Sequence, residues 1–156
     1  MRRKKSIQRE ISPDPEYNSV KVAKFINNLM RKGKKSIAQK IFYVALELAK
    51  KKLKKDNAVE ILEEAIKNTS PLLEVKSRRV GGANYQVPYE VKGERREALA
   101  TFWIIEAAKK KKGRPMAEKL AQELVDAYNN TGDAVKKKEE THKIAEANRA
   151  FAHLAW

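Results

Sequence analysis

The sequence predicts a mainly α fold: a six-helix domain with one protruding β-hairpin inserted between helices 3 and 4, plus an extended basic N-terminal arm. Three observations predict it. Apolar residues recur at three- and four-residue intervals over most of the chain, the spacing of amphipathic helices. Around Gly81-Gly82 the period changes to two, the spacing of strands. The first eighteen residues carry Arg2, Arg3, Lys4, Lys5 and Arg9 together with Pro13 and Pro15, and offer few apolar groups to offset the entropy of ordering. A chain of 156 residues is sized for one domain, here residues 19–156, with the hairpin at about 72–91 and the arm at 1–18.

Ser19 is placed to cap the first helix, whose Val22, Phe25, Ile26, Leu29 and Met30 share one face, and Gly33 is placed to end it. Ser36 followed by Gln39 reads as a capping box for the second helix. Its stripe is Ile37, Ile41, Val44, Ala45 and Leu48, widened by Phe42 and Leu46, an arc broad enough to put this helix at the centre of the core. Lys50, Lys51, Lys52, Lys54 and Lys55 close it, where cations suit the helix dipole. Asn57 with Glu60 is a second capping box, ahead of a third helix striped by Ala58, Ile61, Leu62, Ala65 and Ile66. Asn68-Thr69-Ser70-Pro71 breaks it.

Leu73, Val75 and Ser77 then alternate with Glu74, Lys76 and Arg78. Beyond Gly81-Gly82, Tyr85, Val87, Tyr89 and Val91 alternate with Gln86, Pro88 and Glu90. Two such segments around Gly-Gly are a hairpin signal. Pro88 has no N–H to give a ladder, so its strand needs a free edge. The apolar base of this ribbon is expected to dock on the helices and its basic tip to project. Gly93 restarts helix, with Ala98, Leu99, Phe102, Trp103 and Ile105 expected inside, and Lys109, Lys110, Lys111, Lys112 and Gly113 end it. Pro115 suits the first turn of a fifth helix striped by Ala117, Leu120, Ala121, Leu124, Val125 and Tyr128. After the loop Asn129-Asn130-Thr131-Gly132, Lys136-Lys137-Lys138 opens a last helix carrying Ile144, Ala147, Phe151 and Leu154 on one face. Cations at a helix start oppose its dipole, a cost that an arriving phosphate reverses.

Composition narrows the function. Lys and Arg number 35 against 20 Asp and Glu, a formal net charge of +15, so a polyanionic partner is expected. There is no cysteine, which excludes disulfides, thiolate metal sites and Cys nucleophiles. There is no apolar run long enough to span a bilayer, and no membrane partner is expected. The basic start is not followed by an apolar stretch of the signal-peptide kind; a cytoplasmic protein is the simplest reading, and a mature organellar protein looks the same. His142 and His153 have no ligating neighbour at metal spacing and read as surface or core-edge residues. Glu63-Glu64 and Glu139-Glu140 are adjacent on helices and do not face each other, so they make no acid–base pair. No phosphate-cradling glycine loop precedes a helix. No catalytic residue, metal, cofactor or small-molecule substrate is expected.

Basic clusters at residues 2–9, 31–35, 50–55, 76–79, 109–114 and 136–138 instead imply a broad phosphate-binding surface. Arginine forks phosphates and base edges, so Arg78 and Arg79 beside the turn are the better candidates for specific contacts. Tyr85 is placed either to stack on a base or to pack across the ribbon. Two binding readings remain at this point. One is a DNA-bending architectural protein with a basic ribbon arm; such arms carry an apolar wedge at the tip, and Gly81-Gly82 supplies none. The other is a folded RNA recognised by shape.

The stretch Glu74-Val75-Lys76-Ser77-Arg78-Arg79-Val80-Gly81-Gly82, then Tyr85-Gln86-Val87-Pro88, closely resembles the hairpin of the bacterial small-subunit ribosomal protein seven family. So do Asp14-Pro15, Gly33-Lys34-Lys35-Ser36, Ala134-Val135-Lys136-Lys137-Lys138-Glu139, and the tail from Thr141 to His153. The resemblance covers essentially the whole chain, in order. It implies a structural constituent of the small ribosomal subunit that binds the 3′ major domain of small-subunit rRNA and starts assembly of the head. It further implies a place near exit-site tRNA and the mRNA path, with small-subunit protein eleven as a neighbour. Carried onto this chain with the basic runs above, rRNA contact is expected from Arg2, Arg3, Lys4, Lys5, Arg9, Lys34, Lys35, Lys76, Arg95, Arg96, Lys109, Lys110, Arg114, Lys136, Lys137, Lys138, Lys143 and Arg149. The tRNA- and mRNA-proximal hairpin residues are Arg78, Arg79, Gly81, Gly82, Asn84 and Tyr85. The chain departs from the family pattern at Phe102, where a basic residue usually precedes the tryptophan, and at Leu154-Ala155 before the final Trp156.

Overall fold

The computed structural model describes residues 10–155. Six α-helices run in order: α1 Val20–Leu29, α2 Lys35–Leu53, α3 Ala58–Thr69, α4 Gly93–Lys110, α5 Met116–Tyr128 and α6 Asp133–Ala147. A hairpin of β1 Leu73–Val80 and β2 Ala83–Glu90 is inserted between α3 and α4, and a 3-10 helix Arg149–Leu154 follows α6. The helix α5 is the hub, packing against α2, α3, α4 and α6. Around it Phe25 and Phe42 meet at 4.8 Å between ring centroids, with Ile26, Leu46, Leu62, Ile104, Leu120 and Leu124 fully buried. Removing that much apolar surface from water is what offsets the entropy of ordering the helices.

The ribbon forms as its residues dictate. Gly81 and Gly82 have φ of 58° and 89°, the paired left-handed conformation of a two-residue type I′ turn. The register follows, with Val80 opposite Ala83 and Val75 opposite Pro88. The Val91 N–H donates to the Leu72 carbonyl at 2.9 Å, and hydrogen-bonded pairs alternate along an antiparallel ladder. Val75–Pro88 therefore falls at a non-hydrogen-bonded pair, where a missing N–H costs nothing.

Several local expectations change. The helix α1 stops at Leu29, and Lys32 and Gly33 both adopt positive φ in the connecting turn, so Gly33 shapes the loop rather than ending the helix. The second helix starts at Lys35 with Lys34 at its cap; Ser36 lies inside it, and no side chain caps the end. Asn57 does cap α3: its carboxamide oxygen accepts from the Val59 and Glu60 N–H groups, and its side-chain amide, rather than its backbone N–H as in a full capping box, donates to Glu60 Oε1 at 3.0 Å. The buried face of α2 is Ala38, Phe42, Ala45, Leu46 and Ala49; Ile37 and Val44 are 52% and 50% exposed. In α4, Phe102 points out at 59% exposure while Ala100, Trp103, Ile104 and Ala107 point in. The last helix breaks at Asn148, and the residues beyond form the 3-10 turn instead of a continued α-helix.

The described part of the arm is tied to the domain. Asp14 is buried, accepts from the backbone N–H groups of Glu16 and Tyr17, and accepts from the Tyr43 hydroxyl at 2.8 Å. Burial first, and the Asp14 bond second, push the Tyr43 phenol up to about 12. The tether explains why the Asp14-Pro15 pair sits where it does: an Asx turn ahead of α1. Arg2, Arg3, Lys4, Lys5 and Arg9 lie outside the described residues.

Candidate nucleic-acid interface

The cations fall into four settings, and only some face outward. The first is a groove of about 320 Å³ with an apolar floor of Leu29, Ile37, Ala38, Ile41 and Met116. Arg31 and Lys34 from the α1–α2 turn and Lys109 from the end of α4 form its rim. Partial burial first, and then the nearby Arg31 cation, lower the Lys109 pKa against the opposing pull of Glu106. The sequence places Arg31 in the basic run 31–35 and singles out Lys34 and Lys109 for rRNA contact; the structure sets all three on one rim.

The second setting is the root of the ribbon. Glu74 Oε1 meets Lys76 Nζ at 2.7 Å, and its Oε2 accepts from Arg95 Nη2 at 3.0 Å and Nε at 3.3 Å. Lys76 also lies 5.1 Å over the Tyr89 ring. Burial works against the Glu74 carboxylate, but the hydrogen bonds from Lys76 and Arg95 outweigh it and its pKa is lowered. The sequence offers Glu74 as an alternating strand residue and a part of the hairpin motif, with no signal that it holds two cations.

The third is the α4–α6 cleft, of about 220 Å³, where Lys110, Lys136 and Lys137 alternate with Glu106, Asp133 and Glu140. These pairs are long and exposed, at 3.3 Å for Lys110–Glu106, 3.5 Å for Lys136–Asp133 and 3.7 Å for Lys137–Glu140, so the cations stay available. Because α6 starts at Asp133, an acid occupies its first turn and the lysine run sits one turn in. The expected clash of Lys136, Lys137 and Lys138 with the helix dipole is therefore largely absent. Lys138 turns inward, donating to the Asn68 carbonyl at the end of α3. Asn68 in turn donates to the Ala127 and Tyr128 carbonyls, so this chain of bonds ties α3, α5 and α6 together.

The fourth is the ribbon tip. Period two puts Arg78 and Tyr85 on one face and Arg79 and Asn84 on the other. The first face does not project. Arg78 Nη1 donates to the Leu154 carbonyl at 2.6 Å, and the Tyr85 ring lies 5.0 Å from Phe151, so the 3-10 helix backs the ribbon. Arg79 and Asn84 are exposed. At the root, His142 Nε2 accepts from the Leu72 N–H at 3.0 Å, tying α6 to the strand and fixing the neutral tautomer.

Among the remaining sites, Lys35, Arg114, Lys143 and Arg149 are exposed. Arg96 lines a cleft of about 410 Å³ with Glu63, Glu64 and Glu97, a mixed-charge wall poorly suited to phosphate. Lys111, inside a basic run, serves the core: its Nζ lies 2.7 Å from Glu123 Oε2 and 2.9 Å from Asp126 Oδ2. Glu123 is fully buried and also accepts from the Ala134 N–H at 2.9 Å, which caps α6. Burial opposes the Lys111 charge, yet its bonds to Glu123 and Asp126 prevail and raise its pKa. Beside them, Gly132 has φ of 92°, and a Cβ there would come 2.9 Å from Asp126 Cβ.

Among the described residues no group of three or more His, Asp or Glu is placed to hold a metal ion, and no helix is long and apolar enough to cross a membrane. A helical body with a buttressed ribbon and cations spread over several faces defines a basic helical domain with a ribbon arm. Comparison with known proteins gives the family. The model described as "Ribosomal protein S7p/S5e" matches residues 1–149, and the chain belongs to that family, whose members are structural and not enzymatic. It is 60% identical over 156 residues to "Small ribosomal subunit protein uS7" of Thermotoga neapolitana, covering all of both chains. The proteins of the same name from Thermosipho africanus and Thermotoga maritima are 60% and 58% identical, again over the full length of both chains.

Proposed function

We propose that this protein is a primary rRNA-binding protein of the small ribosomal subunit, which binds the 3′ major domain of small-subunit rRNA and starts assembly of the head. The observation that carries this reading is the full-length likeness to relatives named for the small subunit. The distribution of cations supports it. Lys34, Lys35, Lys109, Lys110, Arg114, Lys136, Lys137, Lys143 and Arg149 are exposed on helix ends and loops around the body. That suits a folded RNA met on several sides, whose phosphates attract the protein and whose release of counterions makes binding salt-dependent. Residues 19–156 act as one RNA-binding domain, with the basic N-terminal residues as a further contact. In the ribosome, the ribbon lies near exit-site tRNA and the mRNA path, with small-subunit protein eleven as a neighbour. Arg79 and Asn84 are the tip residues available for that contact, while Arg78 and Tyr85 hold the ribbon on the C-terminal turn. A cytoplasmic ribosome is the setting.

The DNA-bending alternative finds no support in the geometry. The tip is Gly-Gly, Pro88 is buried at the root, and one face of the ribbon is covered. Filter-binding titrations against a 3′ major domain transcript and a duplex DNA of equal length, at about 150 mM salt, separate the two. Tighter binding to the transcript by a factor of about 1,000 or more, the low end of specific over non-specific nucleic-acid binding, is the predicted result. Equal affinity for both overturns the RNA reading.

A further inference from the structure

The geometry at the ribbon root points to a single phosphate-gripping unit: we propose that Lys76 and Arg95 bind one backbone phosphate of the RNA together, and that Glu74 is the residue that positions them. This rests on the RNA-binding reading above and deepens it. Lys76 comes from a strand and Arg95 from the first turn of α4, and nothing in the chain's local geometry aims them at a common point. Glu74 does. Its two carboxylate oxygens divide the cations, Oε1 taking Lys76 at 2.7 Å and Oε2 taking both Nη2 and Nε of Arg95. The Glu74 side chain is only 13% exposed, whereas Lys76 and Arg95 remain 57% and 59% exposed. The acid is therefore largely withdrawn from solvent while the two cations it holds stay more than half exposed.

An acid at a polyanion interface ordinarily weakens binding. Here its charge is matched by two cations, and the unit keeps a net charge of +1. A lysine ammonium has three donors and an arginine five, so each keeps donors beyond those Glu74 uses. Holding two long side chains in place before the RNA arrives removes much of the rotamer entropy that binding otherwise costs. The Tyr89 ring under Lys76, opposite Glu74 in the ladder, restrains the lysine stem further. The fork also ties the ribbon to α4, so the phosphate it grips fixes the ribbon's angle to the body.

The test turns on sign. Glu74→Gln removes a negative charge, so simple attraction predicts tighter binding to a 3′ major domain transcript. Positioning predicts weaker binding, by about 5- to 10-fold at about 150 mM salt, with partial rescue in Glu74→Asp. Lys76→Ala and Arg95→Ala should each weaken binding, and removing both should lower the salt slope by about one, as the loss of one gripped phosphate requires. In the Lys76→Ala/Arg95→Ala background, Glu74→Gln should lose its penalty and bind equally well or slightly better. A purely structural role for Glu74 would leave the penalty in place in that background, and this overturns the proposal. So does equal or tighter binding by Glu74→Gln alone, with circular dichroism showing a native fold. If Glu74→Gln fails to fold, Glu74→Asp in both backgrounds decides by the same criterion. Failure of the underlying reading looks different: wild-type protein would bind the transcript no better than an unrelated RNA hairpin, and none of the cation variants would matter.

Discussion

Lys110 and Lys111 are neighbours in one basic run, yet the structure gives them opposite jobs, and replacing each by alanine measures the difference. Lys111→Ala removes the counter-charge of Glu123, a carboxylate with no solvent exposure, and leaves it one bond, from the Ala134 N–H at 2.9 Å. Deleting one partner of a buried ion pair costs about 3–5 kcal/mol. The lower end applies, about 3 kcal/mol, because Lys111 and Asp126 keep 24% and 27% side-chain exposure. Lys110→Ala removes an exposed pair with Glu106 at 3.3 Å, worth about 0.3–0.5 kcal/mol. In a domain of this size each kcal/mol moves the melting temperature by about 2–4 °C, so the expected drops are about 6–12 °C and about 1–2 °C. Circular dichroism melts at pH 7 read both. The RNA readout should invert the order among folded protein: Lys110→Ala weakens transcript binding and lowers its salt slope, and Lys111→Ala leaves the slope unchanged. A Lys111→Ala melt within about 2 °C of the Lys110→Ala melt refutes the buried-pair reasoning.

Three further outcomes follow from the same contacts. Gly132→Ala places a Cβ 2.9 Å from Asp126 Cβ at a φ of 92°, and should destabilise the fold by about 1–3 kcal/mol in urea denaturation. His142 is held below its ordinary 6.5 by burial and then by Lys138, so the unfolded chain takes up a proton that the native chain resists. Its neutral form carries no penalty above that range, and stability should fall as pH drops through about 6.5; His142→Gln should flatten the dependence of the urea midpoint between pH 5 and 7.5. Truncation after Asn148 removes Phe151 and Leu154 from the ribbon, and amide exchange at the tip pairs Val80–Ala83 and Arg78–Tyr85 should speed up while the core of α5 stays protected.

The architecture was legible because periodicity reports it directly. The change from a period of 3.6 to one of two marked the ribbon, and Gly-Gly fixed its turn within a residue or two. The buried face of α2 was less legible. Its apolar arc is wide enough that the sequence offers two candidate faces, and the alanines that let helices approach closely, Ala38, Ala45 and Ala49, give a weaker signal than Ile37 and Val44. Ser36 looked like a cap because its spacing to Gln39 fits, but a Ser inside the first turn fits the same spacing. At the candidate interface, the types and positions of cations were readable, while their partners were not. Glu74 is 21 residues from Arg95, Glu123 lies 12 from Lys111, and Arg78 reaches a carbonyl 76 residues away. Such pairings depend on tertiary contact and leave no local pattern. Two signals were nevertheless present. Strict alternation already placed Arg78 and Arg79 on opposite faces, and a glutamate between Leu120 and Leu124 on an apolar stripe already marked a buried charge in need of a partner.

Hydroxyl-radical footprinting of the protein on full-length small-subunit rRNA tests the central claim most directly. Protection confined to the 3′ major domain, and lost in step with transcript affinity when Lys34, Lys136 and Lys137 are replaced by alanine, is the predicted result. Protection spread across the other domains, or none above that given by an equally basic unrelated protein, contradicts it.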